Sequence, residues 1–310
     1  MKPSSQKMLK WVVSSSEEGM TLHAFLRKKY PQAPSVKALK RAIDGKCCRV
    51  NGKVETFASH SLKAGNQVEL DCAALDPSPA SFTPSILYED DALLICDKLS
   101  GWISENHFLN KKFPKFKNHL QLVHRLDKET TGALILAKND AIKEQMFLLF
   151  RERKIHKAYL ALVSGVVKQN GGIIDTNLKR RQQTQSQIMV EVSKEGQRAI
   201  THWKCLAKGK NASLLLCEPL TGRTHQLRVH LKSIGHPLLG DLQYGKPFNK
   251  ELHFKRHLLH AYAVFFTHPI SHKEIRAVAP IPEDFKSALK ELDIDLKCLE
   301  MAHLIELFRN

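Results

Sequence analysis

Long apolar stretches are missing from this sequence. Nowhere does it approach the run of about 20 apolar residues that a membrane-spanning helix requires. The N-terminus begins with basic residues, but the apolar run that follows is only Trp11-Val12-Val13, which is too short for a secretory signal peptide. We therefore expect a soluble, cytoplasmic protein without a membrane partner.

Paired cysteines and histidine metal motifs are also missing. The seven cysteines are an odd number, and no two of them form a Cys-x-x-Cys pair, so a zinc ribbon has little support. Scattered single cysteines are typical of a reducing cytosol. Among the sixteen histidines no His-Glu-x-x-His pattern occurs. We expect no metal site.

Acidic residues are scarce relative to basic ones. The chain has 48 Lys and Arg against 31 Asp and Glu, which gives a formal net charge of +17. Such a surplus attracts polyanions and favours nucleic-acid binding through counterion release, although charge alone does not separate RNA from DNA or from an anionic membrane. The hydrophobic content of 43% over 310 residues supports a folded core. The length suggests two domains, and a single large domain is the alternative.

Residues 19–71 have the pattern of a small independent domain, preceded by an extension over residues 1–18. Two helices are predicted from helical spacing, the first capped by Thr21 and the second by Ser35. The Asn51-Gly52 pair predicts a tight hairpin. The second helix carries a basic stripe made by Lys37, Lys40 and Arg41, which is either an RNA contact or a solvated face that binds nothing.

A segment rich in proline separates this domain from the rest. Three prolines within residues 77–84 oppose both helix and sheet and favour an extended spacer, so residues 72–84 are predicted to be a linker. Residues 85–310 then form a second domain with short apolar runs between turn signals. Strands are predicted around residues 93–96, 133–137, 159–163, 213–217 and 264–266, and helices at 139–151, 224–234 and 282–292. This irregular order favours an α+β fold with a mixed, mainly antiparallel sheet.

The most informative segment is His124-Arg125-Leu126-Asp127-Lys128-Glu129-Thr130-Thr131. It places a carboxylate just before a strand, where a catalytic side chain is held stiffly. Taken alone, it has a plain alternative, a surface turn with Asp127 as an N-cap. Three further segments argue against that alternative. They are Lys157-Ala158-Tyr159, Leu220 to Leu231 with its continuation to Asp241, and Leu259-His260-Ala261.

Together these segments resemble the RluA-type family of RNA pseudouridine synthases, in order and in rough spacing along residues 86–270. Residues 19–71 resemble the RNA-binding module first known from ribosomal protein S-four. The resemblance implies the pseudouridine synthase fold and conversion of uridine to pseudouridine within RNA, with large-subunit ribosomal RNA as the first expected partner and transfer RNA as the second. The reaction is an isomerisation, so the resemblance implies no cofactor. We expect a monomer.

The resemblance also implies roles for individual residues. Asp127 is the expected catalytic carboxylate, and Arg223 is expected to pair with it and keep it ionised, with Gly222 permitting a close approach. Tyr159 is expected to stack on the uracil close to C5. The expected substrate-binding residues are Arg125, Lys157 and Leu227.

The chain departs from the family where its usual Asn-Lys-Pro-x-Gly is Asp97-Lys98-Leu99-Ser100-Gly101. The segment that follows, up to Leu122, is short and basic, so the family's RNA selectivity does not carry over to this chain. Two other functions are open at this point. One is an RNA-binding protein of the same fold that has lost catalysis, which the presence of Asp127, Tyr159 and Arg223 argues against. The other is a glycoside hydrolase, which requires two carboxylates as acid and base.

Overall fold

The computed structural model describes residues 8–33, 36–44, 47–71, 85–116, 119–183, 187–245 and 254–295. The chain divides into two compact units, Met1–Phe82 and Thr83–Asn310. The division falls within residues 72–84, the predicted linker, which lies outside the described residues.

The first unit combines two helices with a small antiparallel sheet. The helices are α1 (Leu22–Lys29) and α2 (Val36–Asp44), and the strands are β1 (Met8–Val12), β2 (Cys48–Val50), β3 (Lys53–Val54) and β4 (Gln67–Asp71). Their order in the sheet is β1-β4-β2-β3. Because β1 pairs with β4 from Met8 to Val12, residues 8–12 belong to the folded unit. The predicted boundary between an extension at 1–18 and a domain at 19–71 is therefore wrong.

The turn between β2 and β3 explains the register of this sheet. Asn51 and Gly52 both have positive φ, 51° and 75°, as a type I′ hairpin requires. The Asn51 Oδ1 atom accepts a hydrogen bond from the Gln67 backbone N at 2.8 Å. This bond ties the hairpin to β4.

The second unit is built around one large sheet. Its strands are β5 (Ile86–Glu89), β6 (Leu93–Lys98), β7 (Gln121–Leu122), β8 (Thr131–Ala137), β9 (His156–Ser164), β10 (Gly171–Gln183), β11 (Gln187–Val192), β12 (Gln197–Gly209), β13 (Ala212–Pro219), β14 (Leu259–Thr267) and β15 (Glu274–Val278). Its helices are α3 (Asn106–Lys112), α4 (Asp140–Arg151), α5 (Gln226–Ser233) and α6 (Glu283–Glu291). Within the described residues the strand order is β11-β10-β12-β13-β9-β14-β8-β6-β5, with β15 beside β14 and β7 beside β8.

Helices cover both faces of this sheet. Alternate residues of a strand point to opposite faces, so Leu134 and Leu136 pack in a cluster with α3 and α5. Ala133 and Ile135 face the other way and pack with α4, while α6 packs on the same side as Leu160. The α+β fold with a mainly antiparallel sheet is confirmed.

One strand pair in this sheet is parallel, β8 with β14, and it lies directly after the Asp127 segment. His260 is opposite Thr131 and Ala261 is opposite Gly132. Gly132 has φ +109°, and a Cβ atom built on it would be 2.1 Å from the Ala261 carbonyl oxygen. The crossing of the two strands therefore requires glycine at this position.

The sequence patterns did not predict every element. Helix α3 and the long strands β10 to β12 were not predicted, because their apolar residues alternate weakly with polar ones. No helix within the described ranges is long and apolar enough to cross a membrane.

Candidate active site

Asp127 lies in the loop that leads into β8, and its backbone is fixed on both sides. The Ser104 hydroxyl donates to the Leu126 carbonyl at 2.7 Å and accepts from the Leu126 N at 3.1 Å. On the other side, the Thr130 N donates to the Asp127 carbonyl at 3.1 Å. The Asp127 side chain keeps 26% of its surface exposed. It is therefore rigidly placed and still open to a substrate.

Lys98, at the end of β6, holds the loop that contains Asp127 through hydrogen bonds to backbone carbonyls. Its side chain is fully buried, and its ammonium donates to the carbonyls of Leu99, Lys128 and Thr130 at 3.1, 3.1 and 2.7 Å. An ammonium has three N–H donors, so three carbonyls satisfy it. Burial lowers the pKa of Lys98 to about 7, and the negative charge of Asp127 opposes this shift.

Arg228 is the arginine that contacts Asp127. Its Nη1 atom lies 3.3 Å from Asp127 Oδ2. The guanidinium is held by a bidentate pair with the buried Asp241, with Nε–Oδ2 at 2.7 Å and Nη2–Oδ1 at 2.8 Å. It also donates to Gln243 Oε1 at 2.9 Å and lies over the Tyr244 ring at 4.8 Å. Four partners thus fix its orientation.

The carboxylate of Asp241 accepts hydrogen bonds from Arg228 and from backbone N atoms of the residues that follow Asp241. Burial by itself would raise the pKa of Asp241, but the hydrogen bonds and charge of Arg228 lower it below its ordinary value. Asp241 Oδ1 also accepts from the backbone N atoms of Gln243 and Tyr244, both at 3.1 Å. Asp241 is therefore an ionised support for Arg228.

Tyr159 lies in β9 and packs beside the loop that contains Asp127. Only 8% of its surface is exposed, and it shares a core cluster with Leu126 and Leu227. Burial raises the pKa of the Tyr159 phenol, and the Asp127 charge raises it further. The phenol therefore stays protonated at neutral pH.

Two comparisons with known proteins identify the family. A family model described as RNA pseudouridylate synthase matches residues 92–233. Ribosomal large subunit pseudouridine synthase C of Escherichia coli is 32% identical over 306 residues, which cover 90% of this chain and 95% of that protein. The chain belongs to the RNA pseudouridine synthase family.

Further relatives and solved structures agree with this assignment. Ribosomal large subunit pseudouridine synthase D of Zymomonas mobilis is 34% identical over 257 residues, or 73% of the present synthase and 80% of that protein. The structure of human RNA pseudouridylate synthase domain containing 4 matches with a TM-score of 0.57 and 27% identity, covering 68% of this chain and 94% of that one. The predicted family and enzyme class are confirmed.

The predicted partner of Asp127 in this synthase is wrong. Arg223 is exposed, and its Nε atom donates to the Arg198 carbonyl at 3.3 Å, whereas Arg228 contacts the carboxylate. The reason is the start of α5 at Gln226. Arg223 precedes the helix, and Arg228 lies three residues before the buried Leu231, on the same helix face. That helical spacing is the signal that identifies Arg228 in the sequence.

The predicted substrate-binding residues have different surroundings. Leu227 is buried beside Tyr159 in one cluster, and Arg125 is exposed. Lys157 lies with its ammonium 5.9 Å from the centre of the Phe150 ring. Burial lowers the pKa of Lys157 to about 8, opposed by the charge of Glu218. Lys157 therefore has Glu218, and not Asp127, as its charged neighbour.

Several histidines of the synthase are structural. The Ile135 N donates to His124 Nε2 at 3.0 Å. His230 bonds to Thr201 at 2.9 Å, and His260 bonds to Thr131 at 2.9 Å. Burial lowers the pKa of His230 and of His260 to about 4, so both rings are neutral.

The basic stripe of the first unit is described only in part. Lys37, Lys40 and Arg41 lie on α2, and Lys40 is exposed. The side chains of Lys37 and Arg41 lie outside the described residues. Leu39 and Ile43 of the same helix are buried in the core of the unit.

Proposed function

We propose that this synthase isomerises uridine to pseudouridine in ribosomal RNA, with Asp127 as the catalytic carboxylate. The observation that carries this proposal is Asp127 itself. It is partly exposed, is fixed through its own backbone, and lies 3.3 Å from a buried arginine. The relatives named as large-subunit ribosomal synthases and the net charge of +17 support ribosomal RNA as substrate.

In the proposed reaction Asp127 acts at the ribose. The glycosidic bond between N1 and C1′ breaks, the uracil turns, and C5 bonds to C1′, after which C5 loses its proton and N1 gains one, so that product and substrate have the same composition. An ionised carboxylate close to C1′ is suited to assist the first step. Arg228 holds that carboxylate in place through a charge-assisted contact of 3.3 Å.

The other predicted residues act on the base and on the RNA chain. Tyr159, protonated and packed beside Leu227, is proposed to stack on the uracil. Arg125 is exposed, two residues before Asp127, and is proposed to occupy the space vacated by the extruded nucleotide. Extrusion from a helix costs a few kcal/mol, which such a contact offsets in part. Arg223 is proposed to contact phosphate, because it is an exposed cation near the start of α5.

Two routes for Asp127 are distinguishable by experiment. It either attacks C1′ directly or removes the proton from C2′. Substrate RNA carrying deuterium at C2′ of the target uridine tests this choice. A primary isotope effect on the rate of the chemical step supports proton removal, and its absence supports attack at C1′.

Mapping of pseudouridines tests the substrate. Total RNA from cells with and without this protein is compared, and the purified protein is then added back to the unmodified RNA. Sites in large-subunit ribosomal RNA that disappear and are restored support the proposal. Sites confined to transfer RNA contradict it and favour the second substrate. We also propose that the protein acts as a cytoplasmic monomer, which sedimentation and fractionation test.

A further inference from the structure

His225 immediately precedes α5 and has an unusual backbone conformation. Its φ and ψ are 54° and 20°, in the left-handed region, and its side chain makes no capping hydrogen bond to the helix. Residues other than glycine are uncommon there, and an N-cap residue ordinarily has extended backbone. The conformation of His225 therefore costs backbone energy, and its ring makes its contacts with groups other than the helix end.

The ring is held by Tyr244. Nδ1 of His225 lies 2.8 Å from the Tyr244 hydroxyl oxygen, and the Val190 backbone N donates to that same oxygen at 2.8 Å. With the Val190 N–H donating to that oxygen, the arrangement in which the hydroxyl donates to Nδ1 uses both the donor and the acceptor capacity of Tyr244. A neutral imidazole that accepts at Nδ1 carries its own proton on Nε2.

The protonated ring nitrogen, Nε2, faces the carboxylate of Asp127. Nε2 of His225 lies 4.0 Å from Asp127 Oδ1, while Arg228 Nη1 lies 3.3 Å from Asp127 Oδ2. The two oxygens of one carboxylate thus face two different donors. A distance of 4.0 Å exceeds that of a hydrogen bond, but contacts of this kind in unliganded active sites often shorten in the substrate complex.

We propose that His225 is a positioning residue for Asp127, a neutral imidazole whose Nε2–H directs Oδ1 of the carboxylate while Arg228 holds Oδ2. This inference rests on the proposed catalytic role of Asp127. Tyr244 and Val190 fix the tautomer, and the left-handed backbone of His225 brings the ring to the carboxylate.

The charges around His225 are consistent with a neutral ring. Burial lowers its pKa, and Arg228 and His257 lower it further, while Asp127 and Asp241 raise it. The imidazole therefore donates without adding a charge. Arg228 remains the cation beside the carboxylate.

Two substitutions at this position distinguish a donor from a backbone requirement. His225→Gln places an amide N–H near the position of Nε2, but glutamine is poorly suited to the left-handed region. His225→Asn fits that region well, but its amide is too short to reach Asp127. If the Nε2–H is what matters, the glutamine variant is faster. If the backbone conformation is what matters, the asparagine variant is faster.

The rate of pseudouridine formation is measured in single turnover from pH 5 to 9 on the same ribosomal RNA fragment. We expect His225→Asn to reduce the rate about tenfold or more, as loss of a hydrogen bond to a charged group does. His225→Gln should stay within about threefold of wild type. His236→Asn is the control, since His236 lies beyond α5 and bonds to the Ser164 carbonyl at 2.9 Å.

The results separate this inference from the function on which it rests. Substantial activity in Asp127→Asn contradicts the catalytic role of Asp127. With Asp127→Asn inactive, equal rates in both His225 variants, or a faster asparagine variant, overturn the role of His225. Melting temperature and RNA affinity are measured for every variant, so that a loss of folding or binding is recognised. A slower asparagine variant with intact folding and affinity supports the inference.

Discussion

Arg223 and Arg228 are five positions apart and have contrasting surroundings. The first is exposed beside the Arg198 carbonyl, and the second is buried between Asp127 and Asp241. Lysine at either position keeps the charge but loses the planar fork that binds a carboxylate bidentately. The pair is thus a matched test of which arginine supports the catalytic carboxylate.

We predict that Arg228→Lys lowers kcat strongly. Lysine keeps the charge but cannot contact Asp127 and pair bidentately with Asp241 at the same time, so Asp127 loses a fixed partner. The variant should also lose about 1–3 kcal/mol of stability, because Asp241 loses hydrogen bonds in a buried site. Single-turnover rates and urea unfolding measure the two effects.

Arg223→Lys is the control for that prediction. An exposed substitution of this kind changes stability by no more than about 0.5 kcal/mol, and kcat should fall far less than in Arg228→Lys. A large loss of kcat in Arg223→Lys with little loss in Arg228→Lys would restore the pairing first predicted from the sequence.

At Asp127 itself we predict that Asp127→Asn lowers the rate at least about a thousandfold, the scale seen when an enzyme loses its nucleophile. The fold and the RNA affinity should stay near wild type, because the substitution changes little in shape. Single-turnover rates and filter-binding affinities measure the two properties. Turnover within tenfold of wild type would rule out Asp127 as the catalytic carboxylate.

At the scale of elements, the crossing of β8 and β14 is the most constrained point. We predict that Gly132→Ala is strongly destabilised, because its Cβ would lie 2.1 Å from the Ala261 carbonyl oxygen and its φ of +109° is unfavourable for alanine. Urea unfolding of purified protein measures the loss. Gly222→Ala is the control and should be nearly neutral, since nothing lies within 4 Å of the Cβ position there. The close approach predicted at Gly222 is therefore absent from the structure.

Lys98, at the end of β6, donates to backbone carbonyls of the loop that contains Asp127, and this contact predicts how stability depends on pH. Lys98 is fully buried and has a folded-state pKa of about 7, well below the ordinary value. Between these two pKa values the unfolded chain binds more protons, so stability rises with pH across that window. Lys98→Met should abolish this rise and should be less stable than wild type at pH 9, because buried carbonyls to which the neutral amine still donates lose their donor. Urea unfolding at pH 6.5 and pH 9 tests both statements, and an equal rise in the two proteins would contradict them.

Patterns in the sequence predicted the elements better than the contacts between them. Apolar runs identified β6, β8, β9, β13 and β14, and helical spacing identified α4, α5 and α6. The resemblance singled out Asp127 and Tyr159, and the structure packs Tyr159 in one cluster with Leu126, the residue before Asp127. Helical spacing with Leu231 could have identified Arg228. Asp241 and Tyr244 were missed because they lie on a loop that returns to α5, and no local pattern records such a contact.

At the scale of the molecule, the two compact units suggest a division of labour. We predict that a fragment beginning at Thr83 folds alone, because the large sheet and Asp127, Tyr159 and Arg228 all lie within Thr83–Asn310. It should bind RNA more weakly and with a shallower salt dependence, since each lost phosphate contact removes roughly one unit of slope in log K against log salt. It should keep measurable activity on a short stem-loop carrying the target uridine.

Circular dichroism, RNA affinity at several salt concentrations and activity are measured on one preparation of this fragment. A folded fragment with the full affinity and salt slope would show that the first unit does not bind RNA. A folded fragment without activity on any RNA that the full chain modifies would show that the first unit contributes to catalysis.

The pairing of β8 with β14 has a consequence for synthesis of the chain on the ribosome. The loop that contains Asp127 and the start of β8 are held by residues more than a hundred positions downstream. Arg256 donates to the Glu129 carbonyl at 3.3 Å, and His260 bonds to Thr131. Contacts so distant in sequence form late and slowly. A nascent chain therefore carries Asp127 through the synthesis of more than a hundred further residues before the contacts around it are complete. If Asp127 is the catalytic carboxylate, we expect competence to modify RNA to begin only when β14 has emerged and docked beside β8.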